Sequence, residues 1–210
     1  FDADMASERT NAAAVKKIAL AQVALARGDG DTARQLADEA RELSSFDSIS
    51  VPAARIYVAT GDTDTALEIS SALGARLQPQ SRAYGLMIEG MLARESGEYV
   101  TAIDAFRNAI ELADLWLLRF ELGRAYLDAE FFAEALSEFT ACNDRRGETS
   151  AVFLDETPSI RYLSSLPYWA GRAQEGLGMQ SAADQSYQDF LALREEGGPL
   201  ADDTRQRLRP

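Results

Sequence analysis

The chain has 210 residues, 46% apolar and 26% charged, with a formal net charge of −13. That is the composition of an ordinary soluble globular protein or repeat array, and so acidic a balance argues against nucleic acid or an anionic membrane surface as the main partner. Histidine is absent and Cys142 is the one cysteine, which excludes histidine-based acid–base or nucleophile systems, an internal disulfide and a multi-cysteine zinc site.

No stretch reaches the roughly 18 consecutive apolar residues that a membrane span needs. A single cysteine and the lack of a secretory pattern are compatible with a reducing, cytoplasmic setting. The first residue is Phe1, so the expectation is a piece of a longer protein or a processed product. Lys16 and Lys17 are the only lysines beside nineteen arginines, read as a compositional bias.

Apolar and small residues recur at helical spacing along most of the chain. The periodicity predicts helices at 7–27, 31–45, 51–60, 63–77, 80–96, 99–113, 115–129, 131–145, 160–177, 180–196 and 200–208. Five times a glycine or a stand-in precedes an alanine by five residues: Gly28 and Ala33, Gly61 and Ala66, Gly97 and Ala102, Glu130 and Ala135, Gly178 and Ala183. The alanines step by 33, 36, 33 and 48 residues, and a period in the low thirties marks a helical repeat array. The glycine ends the first helix of a pair, where a left-handed residue is needed. Twelve residues before each alanine stands another small residue, Ala21, Ala54, Gly90, Gly123 or Gly171, which lets paired helices approach closely. Four residues after the alanine, Phe106, Phe139 and Tyr187 are expected to wedge into a neighbouring helix, whereas Ala37 and Ser70 leave the first two repeats thinner. Seven after it come Ala40, Leu73, Ala109 and Cys142; Phe190 breaks that pattern and is expected to mark the end of the array. Cys142 thereby reads as a packed core residue.

This pattern resembles the tetratricopeptide repeat (TPR), best in Gly90, Gly97, Ala102, Phe106 and Ala109, then in Gly123, Tyr126, Ala135 and Phe139, then in Gly171, Gly178, Ala183 and Tyr187. The resemblance covers roughly residues 12–196 and departs from the family at its closing proline, present only as Pro79 and one place late. It implies an all-α, right-handed superhelix, a single domain with repeats at 12–45, 48–77, 80–113, 115–145 and 160–196, an insertion near 145–158 and a capping helix at 199–209. Residues 153–178 also resemble the repeat-rich tail of large bacterial signalling proteins, serine/threonine kinases or transcription regulators.

In this family the first helix of each pair lines a concave face. Eleven residues before each alanine, the groove-facing position holds Gln22, Arg55, Met91, Arg124 and Arg172, with Tyr84, Met87, Phe120, Leu127 and Tyr168 as neighbours. Arginines among aromatics and methionines suit a peptide with acidic and apolar side chains; the competing reading is that they pair with Glu89, Glu121 and Glu175 and stiffen the stack. Lysine and asparagine, with which chaperone-binding family members clamp a terminal carboxylate, are absent from these positions, so that activity is not expected.

The other motifs read as structure. Ala151–Glu156 looks like a strand with two acids, but no glycine-rich loop with lysine accompanies it, so nucleotide hydrolysis is not expected. The acids at Asp29, Asp31, Asp62 and Asp64 lack the glutamate of a calcium loop and fit turns and helix caps. Glu195–Glu196 and Asp202–Asp203 fit solvated faces. The insertion reads as a loop with the apolar plug Val152–Leu154, or as a lip over the groove. The expected function is a non-catalytic protein- or peptide-binding scaffold without cofactor or metal, a regulatory or docking module of a larger bacterial signalling or assembly protein. The alternatives are a structural spacer or oligomerisation module, and a ligand-sensing domain that completes a flanking enzyme.

Overall fold

The computed structural model describes residues 2–150, 159–193 and 198–209, with side chains from Arg9 onward. The described residues form helices α1 (Asp2–Ala26), α2 (Gly30–Leu43), α3 (Asp47–Thr60), α4 (Thr63–Gly74), α5 (Pro79–Glu95), α6 (Tyr99–Leu112), α7 (Trp116–Asp128), α8 (Phe132–Asp144), α9 (Ile160–Leu163), α10 (Leu166–Gly176), α11 (Gln180–Leu193) and α12 (Pro199–Arg207), with a 3-10 turn at Arg146–Ser150 and no strand. Among them no helix is long and apolar enough to cross a membrane. Residues 151–158 and 194–197 lie outside the described set, and with them the plug Val152–Leu154, the acids Asp155 and Glu156, and the pair Glu195–Glu196.

Hairpins α1/α2, α3/α4, α5/α6, α7/α8 and α10/α11 pack in sequence, each second helix also meeting the first helix of the next pair. The first helices α1, α3, α5 and α7 lie side by side, and α10 follows against α7 and α8. All five turn positions adopt the left-handed conformation: Gly28, Gly61, Gly97 and Gly178 have φ between 72° and 81°, and Glu130 has φ 62°. Glu130 therefore takes the glycine's role at a steric cost. Asp29 and Asp62 cap α2 and α4, accepting from the backbone N–H of Thr32 at 3.1 Å and of Thr65 at 3.2 Å.

Close helix approach explains the small residues. The repeat alanines Ala33, Ala66, Ala102, Ala135 and Ala183 are fully buried. The aromatic four residues further on packs on the glycine of its own hairpin partner: a Cβ added at Gly90 would lie 2.9 Å from Phe106, at Gly123 2.6 Å from Phe139, and at Gly171 2.7 Å from Tyr187. Cys142 is buried, and burial pushes its thiol up to about 12. Its carbonyl accepts the Trp116 indole N–H at 2.7 Å, tying the start of α7 to the end of α8.

The chain departs from the sequence expectation in several places, α1 already beginning at Asp2 rather than 7. Helix α3 starts at Asp47 rather than 51, so Pro52 lies inside it; past the first turn, the proline leaves the Ser48 carbonyl without its helical N–H donor. The helix expected at 160–177 breaks into α9 and α10; Pro167 sits in the first turn of α10 and has no N–H to donate to the Leu163 carbonyl, so a continuous helix would lose that bond. The expected solvated face at Asp202–Asp203 holds only for Asp202. Asp203 accepts from the Tyr168 hydroxyl at 2.8 Å, and Arg207 joins Asp203 to Glu175 at 2.6 Å each. Phe190 ends the small-residue pattern because it shares a core with Ala201 of the capping helix α12.

Two substitutions check this frame. Gly123→Ala should lower stability by about 1–3 kcal/mol through overpacking, and combining it with Phe139→Leu should cost less than the sum of the two, read from urea unfolding. Glu130→Gly should raise stability by about 0.5–1 kcal/mol, since relief of left-handed strain outweighs the flexibility that glycine adds to the unfolded chain.

Candidate functional site: an arginine-lined cavity between the first helices

The first helices of the hairpins enclose a cavity of about 1010 Å³. Its apolar lining includes Val23, Pro52 and Ile56 on α1 and α3, and its aromatic lining includes Tyr162 and Trp169 on α9 and α10. The lining follows the repeat register. At eleven residues before the repeat alanine, Gln22, Arg55, Met91 and Arg124 line it; at eight, Leu25, Val58 and Arg94; at fourteen, Ala19, Pro52 and Trp169. Three- and four-residue steps put these rows on one helix face.

Beneath the floor lies Glu121, with no exposure to solvent. It receives Arg55 from α3 at 2.6 Å, Arg94 from α5 at 2.7 Å and Arg124 from its own helix at 3.3 Å. One carboxylate thus ties three successive repeats. Burial pushes the Glu121 carboxyl up, but the charges of Arg55, Arg124 and Arg94 outweigh it and hold the group well below the usual carboxylate range. For Arg124 burial dominates and lowers the guanidinium's pKa, which Glu121 only partly offsets. Arg161 is lowered by burial as well, with Arg55 adding like-charge repulsion.

Four arginines (Arg55, Arg94, Arg124 and Arg161) line the cavity together with Glu95. Arg94 also pairs with Asp128 at 3.5 Å. Nε of Arg124 is buried without a hydrogen-bond acceptor. Aromatic faces receive the cations: Arg124 sits 4.7 Å from the Trp169 ring centre, and Arg55 4.3 Å from that of Tyr162. Such contacts stabilise a partly desolvated guanidinium without using its hydrogen-bonding capacity in full. Among the described residues no group of three or more acidic, cysteine or histidine side chains is arranged to hold a metal ion.

Of the residues expected in the groove, Arg55, Met91, Phe120 and Arg124 line the cavity, as does Gln22. Tyr84, Met87, Leu127 and Tyr168 do not; all four are buried in the helix packing. Arg172 also lies outside the lining, with its guanidinium 3.2 Å from the Tyr168 hydroxyl and 3.9 Å from Glu175. The expected pairing of arginines with Glu121 and Glu175 is present, whereas Glu89 accepts from Ser70 at 3.1 Å. Arg94, Arg161, Tyr162 and Trp169 were not singled out from the sequence. Extending the eleven-residue row by one turn in each direction finds Arg94 and Trp169; nothing in the repeat pattern finds Arg161 and Tyr162, which lie outside it.

No protein-family model matches the sequence, and no curated protein matches it. Similar solved structures include TTC0263, a thermophilic TPR protein of Thermus thermophilus, with a TM-score of 0.63 and 17% identity over 93% of this chain and 99% of that one. Another is YrrB, described as a TPR protein with an unusual peptide-binding site, with a TM-score of 0.51 and 17% identity over 97% of both chains. Identities this low establish a shared fold: the chain is an all-α superhelix of the TPR type.

Glu121→Gln should destabilise the protein by about 3–5 kcal/mol, as expected when one partner of a buried ion cluster is removed. Because the folded carboxyl titrates below its ordinary value of 4.5, its contribution is whole above that pH and shrinks as pH falls further. Urea unfolding from pH 7 to pH 3 should therefore show the gap between the native protein and Glu121→Gln narrowing at the acid end. A gap independent of pH would contradict the assignment.

Proposed function

We propose that the chain is a non-catalytic scaffold whose concave cavity captures a peptide bearing acidic and apolar side chains. The observation that carries this reading is Arg124, which lines the cavity while its Nε is buried without an acceptor. A buried donor left unpaired costs free energy until an acceptor arrives. A carboxylate on the partner meets Arg124 in the fork geometry that guanidinium favours. Apolar side chains of the same peptide bury against Val23, Pro52 and Ile56. Since the arginines are already held by Glu121 and the aromatic faces, the receptor loses little conformational entropy on binding.

The likeness to YrrB is one of fold, and supports peptide capture by analogy alone. We further infer a regulatory or docking role within a larger bacterial signalling or assembly protein, a reading that rests on the resemblance of residues 153–178 to the tails of such proteins.

A labelled peptide of alternating glutamate and leucine tests the site by fluorescence anisotropy. Arg124→Gln should weaken binding by about tenfold, or 1.4 kcal/mol, and flatten its salt dependence. Arg172→Gln, outside the cavity, should leave both unchanged. Equal losses in the two variants, or none in either, would overturn the assignment.

A further inference from the structure

Counted back from the repeat alanine, positions seventeen, thirteen and ten form one row on each first helix. In α3 the row is Ile49, Ala53 and Ile56, and in α7 it is Leu118, Leu122 and Ala125, all buried. Helix α5 shows what the row meets. A Cβ added at Gly85 would lie 2.9 Å from the Ser70 carbonyl of α4. The Ser70 hydroxyl lies 2.9 Å from the Gly85 carbonyl and 3.1 Å from the Glu89 carboxylate. The row is thus the face against which the array lays the second helix of the preceding hairpin.

In α1 the same row is Lys16, Leu20 and Val23, and it faces water. Leu20 is 57% exposed and Val23 47%, with Val15 beside them at 45%; Lys16 is exposed as well. The repeat register gives the shape that fits there: a helix with small or apolar residues at three- and four-residue steps, as the buried Ser70 and Leu73 supply on α4.

Charge gives the chemistry. From Arg9 to Gly28 the basic residues are Arg9, Lys16, Lys17 and Arg27, with no acid among them, in a chain that has 34 acids. Lys17 pairs with Glu39 across the hairpin, whereas Lys16 and Arg27 have no acidic partner among the described residues. A second copy of the chain fits poorly. Two α1 faces brought together would oppose like charges, and the other end of the array is covered, since Tyr187 and Phe190 of α11 share a core with Ala201 of α12. A helix with acidic flanks meets Lys16 and Arg27 with opposite charge and buries Leu20 under its apolar stripe.

We propose that α1 carries a docking face, made by Lys16, Leu20 and Val23 with Val15 beside them, for an acidic amphipathic helix of a partner protein, laid where the array lays the second helix of a preceding hairpin. This face shares only Val23 with the arginine-lined cavity, and the proposal does not depend on the peptide reading above.

The test uses the full chain and a fluorescein-labelled peptide of three Leu-Ala-Glu-Ala-Leu-Glu-Gln heptads, read by fluorescence anisotropy, with circular dichroism melts to verify folding. The peptide should bind the native protein, and a peptide with lysine at every glutamate should bind at least tenfold more weakly. Leu20→Glu should weaken capture of the acidic peptide at least tenfold and Lys16→Glu at least threefold. Leu77→Glu, a like change at a leucine 92% exposed elsewhere, should alter it less than twofold. Leu20→Gln carries the same direction if the glutamate variant does not fold. Absence of binding, equal binding of the lysine peptide, or unchanged affinity in the Leu20 variants would overturn the proposal. Loss in Arg124→Gln without loss in Leu20→Glu would also overturn it, and would assign the peptide to the cavity instead. Dimerisation of the native chain, or its binding to phosphatidylglycerol vesicles, abolished by Leu20→Glu would give the face to a second copy or to a membrane and overturn it equally.

Discussion

The structure depends on a contact between a glycine and an aromatic ring within a helical hairpin. Gly90 with Phe106, Gly123 with Phe139 and Gly171 with Tyr187 leave no room for even one added carbon. Packing at that density fixes the separation of the paired axes. The left-handed turn residue, supplied once by Glu130, reverses the chain at the right point for the two to meet. Pairs built this way present a narrow edge, and successive first helices can then stand side by side along a concave face.

A concave face of stacked helices gathers polar side chains that have nowhere else to go. Arg55, Arg94 and Arg124 reach inward from three consecutive repeats and converge on Glu121. Burying charge is tolerable only with partners of good geometry, and one carboxylate cannot saturate three guanidinium groups. The same arrangement that joins the repeats leaves Nε of Arg124 buried without an acceptor.

The frame was legible in the sequence because its signals are local. A left-handed turn needs glycine or a tolerant substitute, close helices need small residues, and both recur at a fixed offset from the repeat alanine. The site was legible only in part. In a solenoid, the first helix of a pair buries one side against its partner, others against the neighbouring repeats, and exposes only a strip to the groove. Helical periodicity does not say which apolar residue faces which, so Tyr84, Met87 and Tyr168, read as groove residues, are core. Arg172 had the right offset, but the last repeat turns it toward Tyr168 and Glu175. Tyr162 and Arg161 follow an irregular segment without periodic frame. Pro167 divides what apolar spacing alone reads as one helix.

The central claim is that a partner's carboxylate completes the hydrogen bonding of Arg124. Two-dimensional NMR of the arginine Nε–Hε groups reads this directly. On addition of a glutamate-rich peptide, the Arg124 resonance should shift downfield in proportion to occupancy while that of Arg172 stays in place. A peptide that binds, yet leaves Arg124 unmoved and perturbs the outer helices instead, would contradict the account.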